Sequence, residues 1–182
     1  MLKIKNTGIQ GLIEIFPPVF SDDRGFFTET YNKKAFAEAG IEYNFVQDNL
    51  SFSVKGVIRG LHLQYPPHAQ AKLVRVIRGR VLDTVVDIRP GSETFGRIYQ
   101  CELSAELNNA LMVPEGFAHG FSALEDSFFL YKCSSFYSPG NEGGIRWNDP
   151  DLNIDWKVDS PMVSEKDQKL PSFSDFRSKL DG

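Results

Sequence analysis

Between Arg59 and Lys72 the sequence reads R-G-L-H-L-Q-Y-P-P-H-A-Q-A-K, which sets a guanidinium, an imidazole and a primary amine into a segment otherwise composed like a buried strand. Imidazole moves protons near neutral pH. A guanidinium grips phosphate through paired donors, and an ammonium in a pocket stabilises developing negative charge. Further along, His119 follows the turn Pro114-Glu115-Gly116, Tyr131 shares its parity with Phe129 and Cys133 in an apolar run, and Asp167 closes Ser164-x-x-Asp167. A plainer account stands beside each: a satisfied core histidine, a surface arginine, a solvated lysine, a core tyrosine, and an acid in the first turn of a capped helix.

Two histidines in a small β protein also raise the question of a metal, which wants at least three N, O or S ligands. Pro114-x-Gly116-x-x-His119 matches the second half of a common barrel metal pattern. The first half reads His62-x-Gln64, and no Glu lies between His62 and Gly79. The sequence therefore predicts no metal and leaves both imidazoles free for proton transfer.

These side chains need elements to position them. Simple alternation puts Arg59 and His62 on opposite faces of a strand, but an isolated Gly60 marks a bulge, and one extra residue there brings both to one face. Alternating runs predict strands at Leu2 to Lys5 and Leu12 to Phe16, then a polar turn holding Arg24 and feeding a strand with Glu29 at its middle. Asn32 and Gly40 bracket a short helix over Lys33 to Ala39. From Tyr43 to Ser53 the period-two pattern puts Gln47, Asn49 and Ser51 on one amide-lined face.

Arg78-Gly79-Arg80 between two β-branched runs, Leu73 to Ile77 and Val81 to Ile88, predicts a hairpin. Further strands are expected at Phe95 to Leu103, Leu111 to Val113, around Phe117 to Phe121, and at Ser127 to Phe136. About nine strands with turns every eight to twelve residues argue for an all-β, antiparallel sandwich or barrel with short peripheral helices. A helix is expected around Ser174 to Leu180, in a tail running from about residue 164. No linker or repeat divides the chain, so residues 1–182 read as one domain.

Composition narrows the function classes. With 182 residues, 41% hydrophobic and 24% charged, the chain has the profile of an ordinary soluble domain. A net charge of -4 gives no footprint for nucleic acid. No apolar window approaches a membrane span and no signal-peptide core opens the sequence, so the expected location is the cytoplasm. Cys101 and Cys133 stand in strand-like runs without metal spacing and read as buried thiols.

Eight motifs then occur together: D-x-R-G-F-F from Asp22, Q-x-N from Gln47, R-G-L-H from Arg59, A-K-L-V from Ala71, P-x-G-F-x-H-G from Pro114, L-Y-K from Leu130, G-I-R-W from Gly144 and S-x-K-D from Ser164. In this order and spacing, over nearly the whole chain, they resemble the dTDP-4-dehydrorhamnose 3,5-epimerase family. The resemblance implies a cupin-type double sheet or jelly roll, a homodimer with an exchanged strand, and no cofactor. It implies inversion at C3 and C5 of a dTDP-4-keto-6-deoxyhexose, with His62 as base, Asp167 as its partner, Tyr131 as acid and Lys72 as enolate stabiliser.

For binding it implies Arg24, Phe27, Glu29, Gln47, Asn49, Arg59, His119 and Tyr137, with Arg24 reaching in from the other subunit. Phe136 stands where members often carry a second tyrosine. A single-centre epimerase, a 3,4-ketoisomerase and a non-catalytic sugar-binding barrel remain as alternatives.

Overall fold

The computed structural model describes residues 2–178. β1 (Lys3–Asn6) and β2 (Ile13–Phe16) pair antiparallel, and β3 (Val19–Asp22) with β4 (Gly25–Thr28) forms a separate two-stranded hairpin. α1 (Lys33–Glu38) is capped as its sequence predicts, with Asn32 accepting from the Lys34 and Ala35 amides and Gly40 taking φ +79° beyond its end. The body follows as β5 (Gln47–Ser53), β6 (Val57–Gln64), β7 (Lys72–Arg78) and β8 (Arg80–Asp87). It continues with β9 (Ile98–Ser104), β10 (Ala110–Val113), β11 (Phe117–Ala123) and β12 (Ser127–Cys133). β13 (Glu142–Gly144), β14 (Met162–Val163), α2 (Glu165–Gln168) and α3 (Phe173–Ser178) make the tail.

Two sheets face each other. The first runs β1-β2-β10-β7-β12-β5, the second β13-β6-β11-β8-β9, and β14 lies parallel beside β6. Alternation turns Val74, Val76, Leu111 and Phe129 of the first sheet toward Val81, Val85, Leu103 and Phe121 of the second. Phe121 and Phe129 stack at 4.3 Å between centroids, and burial of such a ring is worth roughly 1.5–3 kcal/mol. The outer faces are covered too. Phe36 of α1 and Ile41 pack on Ile15, Leu73 and Met112, while Trp156 and Phe176 of the tail join Ile58 and Val86. Among the described residues no helix is long and apolar enough to cross a membrane.

The antiparallel double sheet is the expected architecture, but the predicted hairpin at Gly79 is not there. β7 pairs with β10 and β12, and β8 with β11 and β9, so Arg78-Gly79-Arg80 is a corner carrying the chain from one sheet to the other. Its polar groups go to the start of β12 and the turn after β9: Arg80 N donates to Ser127 Oγ at 3.0 Å and Ala105 N to Gly79 O at 3.2 Å. Glycine is needed for the corner as much as for a hairpin, since φ is +78° and a Cβ would lie 2.3 Å from Asp126 O.

Other boundaries move for local reasons. Asp87 gathers Arg89, Ser92 and Thr94, which delays β9 to Ile98. β12 stops at Cys133 rather than Phe136, and Glu29 lies past the end of β4 rather than mid-strand. Among the described residues fourteen strands replace about nine, because the short β3, β13 and β14 carry no clear period. The last two residues of the predicted tail helix, 179 and 180, lie outside the described residues.

Candidate active site

The bulge at Gly60 builds one wall. His62 lies opposite His119 and Arg59 opposite Phe121, so three steps along β6 match two along β11. Gly60 takes φ +136°, and a Cβ there would meet Gly120 Cα at 2.6 Å, so the two strands close up only with glycine. The extra residue turns Arg59 and His62 to the same side, as the isolated glycine predicted. Both border a cavity of about 260 Å³ with Lys72, His119, Phe129 and Tyr131.

The same bulge frees a backbone donor. Gly60 N–H gives its hydrogen to Asp167 Oδ2 at 3.2 Å, while Asp167 Oδ1 lies 2.8 Å from His62 Nε2. Ser164 caps α2 through the Asp167 amide at 3.1 Å, so the helix-start reading and the dyad reading of Asp167 are both true of one residue. Asp167 is 4% exposed. Burial pushes its carboxyl up, but the hydrogen bond and charge of His62, with the Gly60 and Ser164 donors, leave it below the usual carboxylate range.

The facing wall comes from the other sheet. Lys72 on β7 and Tyr131 on β12 sit on adjacent strands and both line the cavity. Burial lowers the Lys72 ammonium below its ordinary value, against opposing pulls from Cys133, Asp83 and Glu142. The Tyr131 hydroxyl is raised, chiefly by burial.

Sequence positions 6–175 match the family described as dTDP-4-dehydrorhamnose 3,5-epimerase. The chain belongs to this family. A relative of that name from Shigella flexneri is 49% identical over 176 residues, which is 96% of this chain and 97% of its own. A dTDP-4-dehydrorhamnose 3-epimerase from Streptomyces niveus is 41% identical over 169 residues, 92% of this chain and 82% of its own. The solved structure of dTDP-6-deoxy-D-glucose-3,5-epimerase from Legionella pneumophila Philadelphia 1, in complex with dTDP-4-keto-L-rhamnose, has a TM-score of 0.94 at 43% identity and covers 99% of this chain and 97% of its own.

Around this epimerase-family centre, a second cavity of about 310 Å³ shares His62, Lys72 and Tyr131 and adds Gln47, Asn49, Gln64, Tyr137 and Glu142. Arg59 is held by Ser53 Oγ at 3.0 Å and the Phe52 carbonyl at 3.1 Å. Gln64 spends its amide on the backbone of His68, Phe136 and Ser138. Nine of the twelve predicted site residues gather at this cleft, Asp167 through its bond to His62, and three stand apart. Arg24, Phe27 and Glu29 belong to the exposed β3–β4 hairpin region and line neither cavity; Arg24 pairs with Asp22 in its own turn.

Sequence reasoning missed Asp83 and Glu142. Asp83 is fully buried on β8 and lies 2.9 Å from His119 Nε2, making a second histidine–carboxylate pair. Its signal was a carboxylate inside the apolar run V-L-D-T-V-V. Glu142 accepts from Tyr137 Oη at 2.8 Å and pairs with Lys166 at 2.5 Å, at a position where no periodicity marked it.

Proposed function

We propose that the chain inverts C3 and C5 of a dTDP-4-keto-6-deoxyhexose. One observation carries this: His62, anchored to Asp167, comes from one sheet, and Tyr131 with Lys72 comes from the facing sheet, across a single cavity. An ionised Asp167 accepts from Nε2–H and leaves the lone pair on Nδ1 as the base. His62 takes the hydrogen of C3 or C5 as a proton, and the C–H electron pair moves onto the C4 oxygen as an enolate. The Lys72 ammonium stabilises that oxygen, an interaction stronger in the transition state than in the ketone. Tyr131, kept protonated by burial, returns a proton to the carbon from the opposite face.

Arg59, His119, Gln47, Asn49 and Tyr137 hold the nucleotide sugar in this reading. Arg24, Phe27 and Glu29 act in the cavity of a second copy, which makes the enzyme a homodimer that sedimentation would reveal. The hairpin carrying them leaves Phe20, Phe26 and Phe27 more than 60% exposed, a poor arrangement for an isolated subunit. A charged nucleotide-sugar substrate makes the cytoplasm the expected compartment.

Incubation with the dTDP-4-keto sugar in heavy water tests the reading. Deuterium is expected at both C3 and C5 of an inverted product. Deuterium at C3 alone would point to a single-centre epimerase, and a ketone moved to C3 would point to a ketoisomerase. Tight binding without any exchange would leave only a sugar-binding barrel.

A further inference from the structure

The amide face beside the cavity has a direction. Tyr137 N–H donates to Gln47 Oε1 at 3.0 Å, Gln47 Nε2 to Asn49 Oδ1 at 3.0 Å, and Asn49 Nδ2 to Cys133 Sγ at 3.5 Å. A backbone N–H can only donate, so it fixes which end of the Gln47 amide faces it. That choice propagates: the Gln47 nitrogen must turn to the Asn49 oxygen, and the Asn49 nitrogen to sulfur. Cys133 is 1% exposed, and burial first among the causes raises its thiol above the ordinary value, so the chain ends on a neutral sulfur. Each amide nitrogen keeps one further N–H, and both side chains line the larger cavity.

We propose that Cys133 is a positioning residue which ends a one-way relay, Tyr137 to Gln47 to Asn49 to Cys133, so that the amide face offers donors to acceptor oxygens of the ligand. Those oxygens belong either to the diphosphate or to the pyrimidine ring. The inference rests on the cavity being a dTDP-sugar site. Gln64 reinforces the relay from the other side, since its Oε1 accepts from Ser138 N at 2.8 Å and the successive amides of Tyr137 and Ser138 are thereby both held.

Calorimetric titration of the purified protein with dTDP, and separately with inorganic pyrophosphate, tests it. Cys133→Val fills the volume of the thiol but removes the acceptor, and is expected to weaken dTDP binding roughly three- to ten-fold, with a parallel rise in KM. Cys133→Ser keeps an acceptor and is expected to recover most of that affinity. A packing role alone predicts the reverse order, because valine replaces the buried apolar volume better than serine does. Should valine not be accommodated, Cys133→Ala removes the same acceptor without added bulk.

A matching loss with pyrophosphate assigns the donors to the diphosphate, and a loss with dTDP alone assigns them to the pyrimidine. Unchanged dTDP affinity in the variants lacking an acceptor, or serine binding more weakly than valine, would overturn the relay. Wild-type protein that binds no dTDP would instead overturn the functional reading beneath it.

Discussion

Replacing His62 by alanine is expected to stop deuterium uptake at both C3 and C5, a loss of roughly 10³-fold or more, since a positioned general base contributes about 10²- to 10⁴-fold. His62 stands with one side open to the cavity and its Nε2 committed to Asp167, so no neighbouring group shares its place. His119 does not substitute. Its Nε2 is spent on both oxygens of the buried Asp83, at 2.9 and 3.0 Å. Asp167→Asn keeps the base but removes the charge that supports its cationic form, and a fall of about 10- to 100-fold is expected. Rates of solvent exchange followed by proton NMR separate the two variants. Exchange at the wild-type rate in His62→Ala would place the base elsewhere.

The second large effect belongs to Lys72. Lys72→Met keeps the apolar stem and removes the charge, so kcat is expected to fall roughly 10²- to 10³-fold. The pH profile gives the sharper check. Lys72 acts while protonated, so its contribution is complete below its folded pKa and disappears as pH rises through it. Burial holds that pKa below the ordinary lysine value of about 10.4, so the alkaline limb of kcat in the wild type falls below that value. Tyr131 is shifted upward from its own ordinary value and remains a proton donor across the limb. Retention of the limb in Lys72→Met would assign it to another group.

How much of this was legible follows from what each signal encodes. Side-chain parity along a strand is local, so the shared face of Gln47, Asn49 and Ser51 and the bulge at Gly60 could be read from spacing. Strand pairing is not local. The glycine at position 79 satisfies a corner between sheets as readily as a hairpin, and only the partners chosen by β7 and β8 distinguish them.

The dyad joins residues 105 apart in sequence, and Ser164-x-x-Asp167 is also a sound helix start. Residue types alone could not choose between these, and the fold makes both true. Asp83 and Glu142 were missed for different reasons. One hides inside an apolar run, and the other sits in a short strand after a turn, where its pairing with Lys166 depends on the tail folding back.

The claim that base and acid act from opposite sheets meets its most direct test in Tyr131→Phe, with deuterium uptake and configuration followed together in one NMR time course. His62 is intact in this variant, so hydrogen still leaves and returns on one face. The account predicts that solvent exchange persists while inversion falls by about 10²-fold or more. Loss of exchange and inversion in equal measure would contradict it, and so would inversion at the wild-type rate.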